Sequence, residues 1–227
     1  MDIKLNYIEK GSGQPLILLH GNGESSEYFC HQMEYFSQKY RVIAPDTRGH
    51  GKSPRGNKSF TLVQFADDLK DFLDELNIAR AIVLGFSDGA NVALLFALKY
   101  SAYVDRLILN GANLNPKGVK FHVQLPICIG YGIVSLFARF HKSAIAKKEM
   151  LRLMVNEPHI RASELARISI PTLVIAGEND MIKEAHTVSI HQAIAGSRLC
   201  IIGGDHFIAD KNSVLFNEKV ELFLMGK

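Results

Sequence analysis

Short, almost unbroken apolar runs recur along the chain, and the segments between them place apolar residues three and four positions apart. The runs are LILLH (16–20), RVIAPD (41–46), AIVLG (81–85), RLILNGA (106–112), TLVIAG (172–177) and LCIIGG (199–204). Continuous Val, Ile and Leu of this kind suit parallel strands covered on both faces. Between the second and third runs, Leu62, Phe65, Leu69, Phe72, Leu73 and Leu76 share one helical face. Residues 88–101 and 213–225 read as further helices. Alternation of strands and helices predicts an α/β fold with a mostly parallel, doubly wound sheet and right-handed crossovers.

One interval breaks the rhythm. Residues 113–163 contain no convincing strand, yet fall between two core strands, so they are expected to form a short helical cap. The core is then 1–112 and 164–227. The interval carries eight basic residues against two acidic ones, a net charge of +6 against −3 for the rest. Its apolar run at 125–138 is too short to span a bilayer and reads as a buried or lid helix.

Composition changes this picture little. The whole chain carries a net charge of +3, too small to point to nucleic acid. Cys30, Cys128 and Cys200 fit neither a zinc spacing nor a disulfide framework, and reduced thiols in a cytosolic protein are expected. The first residues, MDIKLNYIEKG, alternate with Ile3, Leu5 and Tyr7 on one side and have no apolar signal core. A cytoplasmic protein without stable membrane insertion is the expectation; oligomeric state is open.

The candidate chemistry begins at LILLHGNGESS, a strand that breaks into a glycine turn. Such a turn serves a dinucleotide pyrophosphate or an oxyanion equally well, since both need backbone N–H groups at close approach. Ser26 stands where a dinucleotide fingerprint needs its third glycine or alanine, although Asp46 would suit a ribose. GHGKS fails as a phosphate loop because Asp46 occupies its earlier glycine position. His20 reads as a structural group at the turn, and Arg48 as a loop-bracing ion pair.

Directly after AIVL comes Gly85-Phe86-Ser87-Asp88-Gly89, which fits Gly-x-Ser-x-Gly between a strand and a helix. A nucleophilic serine must project from a sharp, strained turn, where side chains two residues to either side would collide. Serine also needs a base and an orienting acid, and in this kind of fold they follow in the order Ser, Asp, His. Asp180 follows TLVIAGEN and His206 follows LCIIGGD, so both reach the strand edge where Ser87 stands. Glu178 and Asp205 are the neighbouring acids; His186 and His191 lie in a helical stretch without comparable placement.

On HGNG, DTRGHGKS (46–53), GFSDG, GEND and GDH, the chain resembles the α/β-hydrolase superfamily over nearly its whole length. It is similar to the serine-esterase, haloperoxidase-like and carbon–carbon-bond hydrolase branches. The resemblance implies an oxyanion hole from the backbone N–H groups of Asn22 and Asp88, with residues 113–163 as the cap.

The expected activity is hydrolysis of a small carboxylic ester through an acyl-enzyme, with Ser87, His206 and Asp180 as the triad and no metal or organic cofactor. Amino-acid esters, thioesters, lactones and carbon–carbon bonds are alternatives, as is a low-turnover small-molecule receptor on the same scaffold. The Asp88 carboxylate could pair with a substrate amine, or simply face the helix dipole. Phe121, Leu125, Ile129, Tyr131 and Phe137 suggest an apolar substrate pocket, against plain packing within the cap.

Overall fold

The computed structural model describes residues 2–226. Among the described residues, seven strands form one sheet: β1 (Tyr7–Lys10), β2 (Pro15–Leu19), β3 (Arg41–Pro45), β4 (Ala81–Phe86), β5 (Val104–Asn110), β6 (Thr172–Gly177) and β7 (Arg198–Ile202). Their order is β1-β3-β2-β4-β5-β6-β7. β1 pairs antiparallel with β3, and every other pairing is parallel. The six apolar runs are thus the six parallel strands, and the alternating N-terminal segment supplies the antiparallel edge. β5 starts two residues earlier than its run and also ends two residues earlier, where Gly111 leaves the extended region at φ +64°.

Both faces of the sheet are dry. Ile17, Leu19, Val83, Leu107 and Leu109 pack into one core with α2 (Leu62–Glu75) and α3 (Asp88–Lys99). Their strand neighbours Leu16, Leu18, Ile82, Leu84 and Ile108 pack into the other. There they meet α1 (Cys30–Phe36) and the last helix, α7 (Ser213–Leu224). Period-two alternation with apolar residues at every position therefore serves two cores at once. α2 starts where Thr61 caps it, its Oγ1 accepting from the Gln64 N–H at 3.2 Å. It stops before Asn77, which takes the left-handed conformation at φ 54°.

Between β5 and β6 the chain forms helices only: α4 (Phe121–Phe137), α5 (Ile145–Asn156) and the short α6 (Ala162–Leu165). α5 is anchored, with Leu153 buried and Glu149 in a bidentate ion pair with Arg55 (2.6 and 2.7 Å). Glu157 just beyond it accepts from the Leu62 N–H at 2.8 Å. α4 is different: none of its residues is buried, so it is a surface helix over the sheet edge and not a core one. Among the described residues, no helix is long and apolar enough to cross a membrane.

Candidate active site

The parallel strands end at one edge, and three loops there converge. Ser87 separates β4 from α3 at φ 55° and ψ −121°, a strained conformation for a residue with a side chain. The flanking glycines are needed for room. A Cβ on Gly85 would lie 2.3 Å from the Gly89 carbonyl oxygen, and one on Gly89 would lie 2.0 Å from that of Leu19. The turn can be this tight only because both positions lack side chains.

Asp180 follows β6, and His206 follows β7 by four residues. His206 Nδ1 donates to Asp180 Oδ1 at 2.7 Å, and Ser87 Oγ lies 3.0 Å from His206 Nε2. The carboxylate only accepts, so Nδ1 carries the proton and Nε2 is left to accept from the serine hydroxyl. Asp180 Oδ1 also accepts from the Ile182 N–H at 2.8 Å, which holds the carboxylate in place. Asp180 and His206 are both 3% exposed. Glu178 and Asp205 are not part of this chain of contacts: Asp205 turns away to Lys211 and the Phe207 N–H.

The glycine turn after β2 sits beside the start of α3. The Asn22 side chain bridges it to its neighbours, donating to Asp88 Oδ2 and to the Met150 carbonyl of α5, both at 2.9 Å. Asp88 Oδ1 accepts from Asn91 Nδ2 at 3.2 Å. Burial raises the Asp88 carboxyl above its ordinary pKa, against the two amide donors that lower it. His20 is buried and structural, with Nδ1 donating to the Gly21 carbonyl and Nε2 accepting from the Thr47 N–H. Desolvation, with His50 nearby, lowers its pKa to about 4, so it is neutral at physiological pH.

The other groups singled out in the sequence are braces. Asp46 accepts from the Ser26 and Lys52 N–H groups and from Asn6 Nδ2, at 2.7–2.8 Å. Both carboxylate oxygens are thus engaged by the protein itself and buried, out of reach of a ribose. Arg48 is fully buried between Asp68 and Asp2. His186 accepts from the Leu114 N–H at 2.8 Å and fastens the start of the cap. Among the described residues, no cluster of three or more His, Cys, Asp or Glu side chains could hold a metal ion.

Two hollows flank Ser87 and His206. A cavity of about 30 Å³ is lined by Ser87, Asp88, Asn113, Gln124, Ile127 and Glu157, among others. On the far side of His206 an open cleft of about 170 Å³ runs past Lys120, His122, Asn179 and Phe207. The apolar cap residues expected to form the pocket do not line either one. Phe121, Leu125, Ile129 and Phe137 are 73, 44, 56 and 57% exposed and point away from the core. At about 100° per residue they fall on the outer face of α4, whereas Gln124, Ile127 and half-buried Tyr131 fall on the inner one. Both faces of α4 are apolar, so spacing alone selected the wrong one.

Sequence reasoning missed Glu24. Its Oε2 accepts from the Gly21 N–H at 3.1 Å, inside the glycine turn. Burial pushes its pKa up to about 7, opposed by that bond and by His206 and supported by Asp210. Tyr28 lies nearby, stacked on Phe86 at 4.4 Å, and Phe86 in turn touches the His206 ring. Nothing in the spacing of a single loop glutamate signals this. Asn91 and Asn113 were also unread; they exchange two hydrogen bonds at 2.9 Å and pin the cap entrance to α3.

Residues 14–126 match the α/β-hydrolase-fold family. The human serine hydrolase BPHL is 29% identical, over 98% of this chain and 83% of its own. Among solved structures, the enol-lactonase from Burkholderia xenovorans superposes with a TM-score of 0.83 at 21% identity, covering 98% of this chain and 97% of that one. A meta-cleavage product hydrolase from Pseudomonas fluorescens gives 0.82 at 25% identity, covering 99% and 95%.

Proposed function

The chain belongs to the α/β-hydrolase superfamily, and from that premise we propose that it is a serine hydrolase cleaving a small carboxylic ester through an acyl-enzyme. One observation carries the reading: the unbroken line of hydrogen bonds from Asp180 through His206 to Ser87. In the first half-reaction Ser87 Oγ attacks the ester carbonyl carbon as its proton passes to His206 Nε2. Asp180 holds the tautomer and stabilises the imidazolium. The tetrahedral oxyanion is held by the backbone N–H groups of Asn22 and Asp88, at the mouth of α3. Collapse breaks the bond to the alkoxide, which takes the proton from His206 and leaves as the alcohol. Water then repeats the sequence on the acyl-serine and releases the acid. The open cleft beside His206 gives the alcohol a way out, and the inner cavity, at about 30 Å³, admits only a very small acyl group.

A second reading concerns the substrate class. The inner cavity is lined by two carboxyl groups, Asp88 and Glu157, and by no Lys or Arg. Burial raises the pKa of both, so a cation placed between them would be stabilised as they ionise. Esters carrying a protonated amine on the acyl side, such as amino-acid esters, fit that charge.

The first test is labelling with a fluorophosphonate followed by mapping of the modified peptide. Phosphonylated Ser87, lost in His206→Ala, is the expected result. A folded protein that stays unlabelled would overturn the hydrolase reading and favour a ligand-binding role on the same scaffold.

A further inference from the structure

The outer face of the cap carries an uncovered apolar stripe. Phe121, Leu125, Ile129, Ile133, Leu136 and Phe140 are between 44 and 79% exposed. The first five lie within about 120° of arc on α4, a helix about 25 Å long, and Phe140 follows in the turn beyond. The helix itself contains no Asp, Glu, Lys or Arg. Single exposed apolar residues are ordinary on a protein surface; a continuous row of six bulky ones marks a contact face.

Charge indicates what that face contacts. Lys117 and Lys120 precede the stripe, and Arg139, Lys142 and Lys147 follow it; all but Lys120 are exposed. Among the described residues, no ion pair joins Arg139, Lys142 or Lys147 to an acid. The two acids of the cap do not offset them, since Glu149 is taken by Arg55 and Glu157 faces the Leu62 N–H. A second copy docked through this stripe about a twofold axis would bring the same basic set against itself. An acidic, apolar-cored surface meets both features at once.

We propose that the cap docks on an anionic lipid bilayer, with α4 lying in the interface plane. Its outer side chains enter the boundary between headgroups and acyl chains, and the flanking cations meet the lipid phosphates. α4 is too short to cross a membrane, so the attachment is peripheral and reversible. The anchored α5 transmits the attachment to the core through Arg55–Glu149 and the Asn22–Met150 bond. This binding does not depend on the hydrolase reading.

The test is flotation of the intact protein with vesicles of phosphatidylcholine, with and without phosphatidylglycerol, at low and high salt. Binding is expected only with phosphatidylglycerol and should weaken with salt. Ile133→Ser with Leu136→Ser, and separately Lys142→Glu with Lys147→Glu, should each weaken it by about tenfold or more. Unchanged melting temperatures would show that both variants fold. Vesicle binding that ignores phosphatidylglycerol or both pairs of substitutions would overturn the proposal. So would a dimer dispersed by Ile133→Ser with Leu136→Ser in a protein that does not float, which would assign the stripe to a second copy.

Discussion

Ser87 Oγ and His206 Nε2 stand 3.0 Å apart although 119 positions separate them in the chain. Two different strands, β4 and β7, deliver them to one sheet edge, with β5 and β6 between. That separation makes the contact a property of the whole sheet. Replacing either residue should abolish turnover with little effect on folding. Ser87→Ala and His206→Ala should each lower kcat on a small p-nitrophenyl ester by several orders of magnitude, roughly 10⁵-fold or more. Asp180→Asn should cost about 10⁴-fold, because it reverses the tautomer while sparing the geometry. Wild-type turnover in Ser87→Ala would refute the assignment.

The glycines of the site divide by what they touch. Gly89→Ala would drive a Cβ against backbone, the Leu19 carbonyl, which cannot move aside. It should destabilise the fold by several kcal/mol, on the order of 3 or more, measured by urea unfolding. At Gly111, with φ +64°, a Cβ would lie 2.6 Å from the His206 ring. Gly111→Ala should therefore lower kcat far more than Gly89-type unfolding alone explains, seen as lost activity in protein that remains folded.

Glu24 makes stability depend on pH. Its pKa rises from 4.5 to about 7 on folding, so between these values the folded state keeps a proton that the unfolded state has released. Stability from this group is therefore lost as pH rises from about 4.5 to about 7, and stays lost above. Glu24→Gln keeps the acceptor for Gly21 and removes the titration. After allowance for partial exposure, it should stabilise the protein by about 1–2 kcal/mol more at pH 8 than at pH 4. Equal effects in urea titrations at the two pH values would contradict a buried, neutral Glu24.

Arg48 is held at full burial by Asp68 and Asp2. Arg48→Met would strand the Asp68 carboxylate, which is 2% exposed, without its cation. A loss of about 3–5 kcal/mol is expected from chemical denaturation. Adding Asp68→Leu should restore most of it, since the cost comes from the orphaned charge.

Asp88 tests the substrate class. If its carboxylate recognises a cationic acyl group, Asp88→Asn should lower kcat/KM for amino-acid esters by about tenfold or more relative to uncharged esters of the same size. An unchanged ratio would leave Asp88 with its amide partners, Asn22 and Asn91, and nothing further.

The sheet was legible because burial on both faces demands apolar residues at consecutive positions, and few other structures tolerate such runs in water. Leu16 to Leu19 and Ala81 to Leu84 could be read in this way without any contact in view. The tight turn at Ser87 was equally plain, since Gly85 and Gly89 answer a steric demand that acts within five residues. Ser87, Asp180 and His206 stood out because each comes just after a strand's end.

The cap and the electrostatics were decided elsewhere. Leu125 and Ile129 could not be told from Ile127 by pattern, because α4 is apolar all round and only α5 and the core choose its inner face. Glu24 looks like any loop acid until Phe86, Tyr28 and the turn around Gly21 close over it. Local sequence determined which elements form and which residues each strand end presents, because backbone sterics and hydrophobic periodicity act over a few positions. Which side of a helix meets solvent, and which carboxyl loses its water, depends on neighbours tens of residues away, and only the assembled fold supplies them.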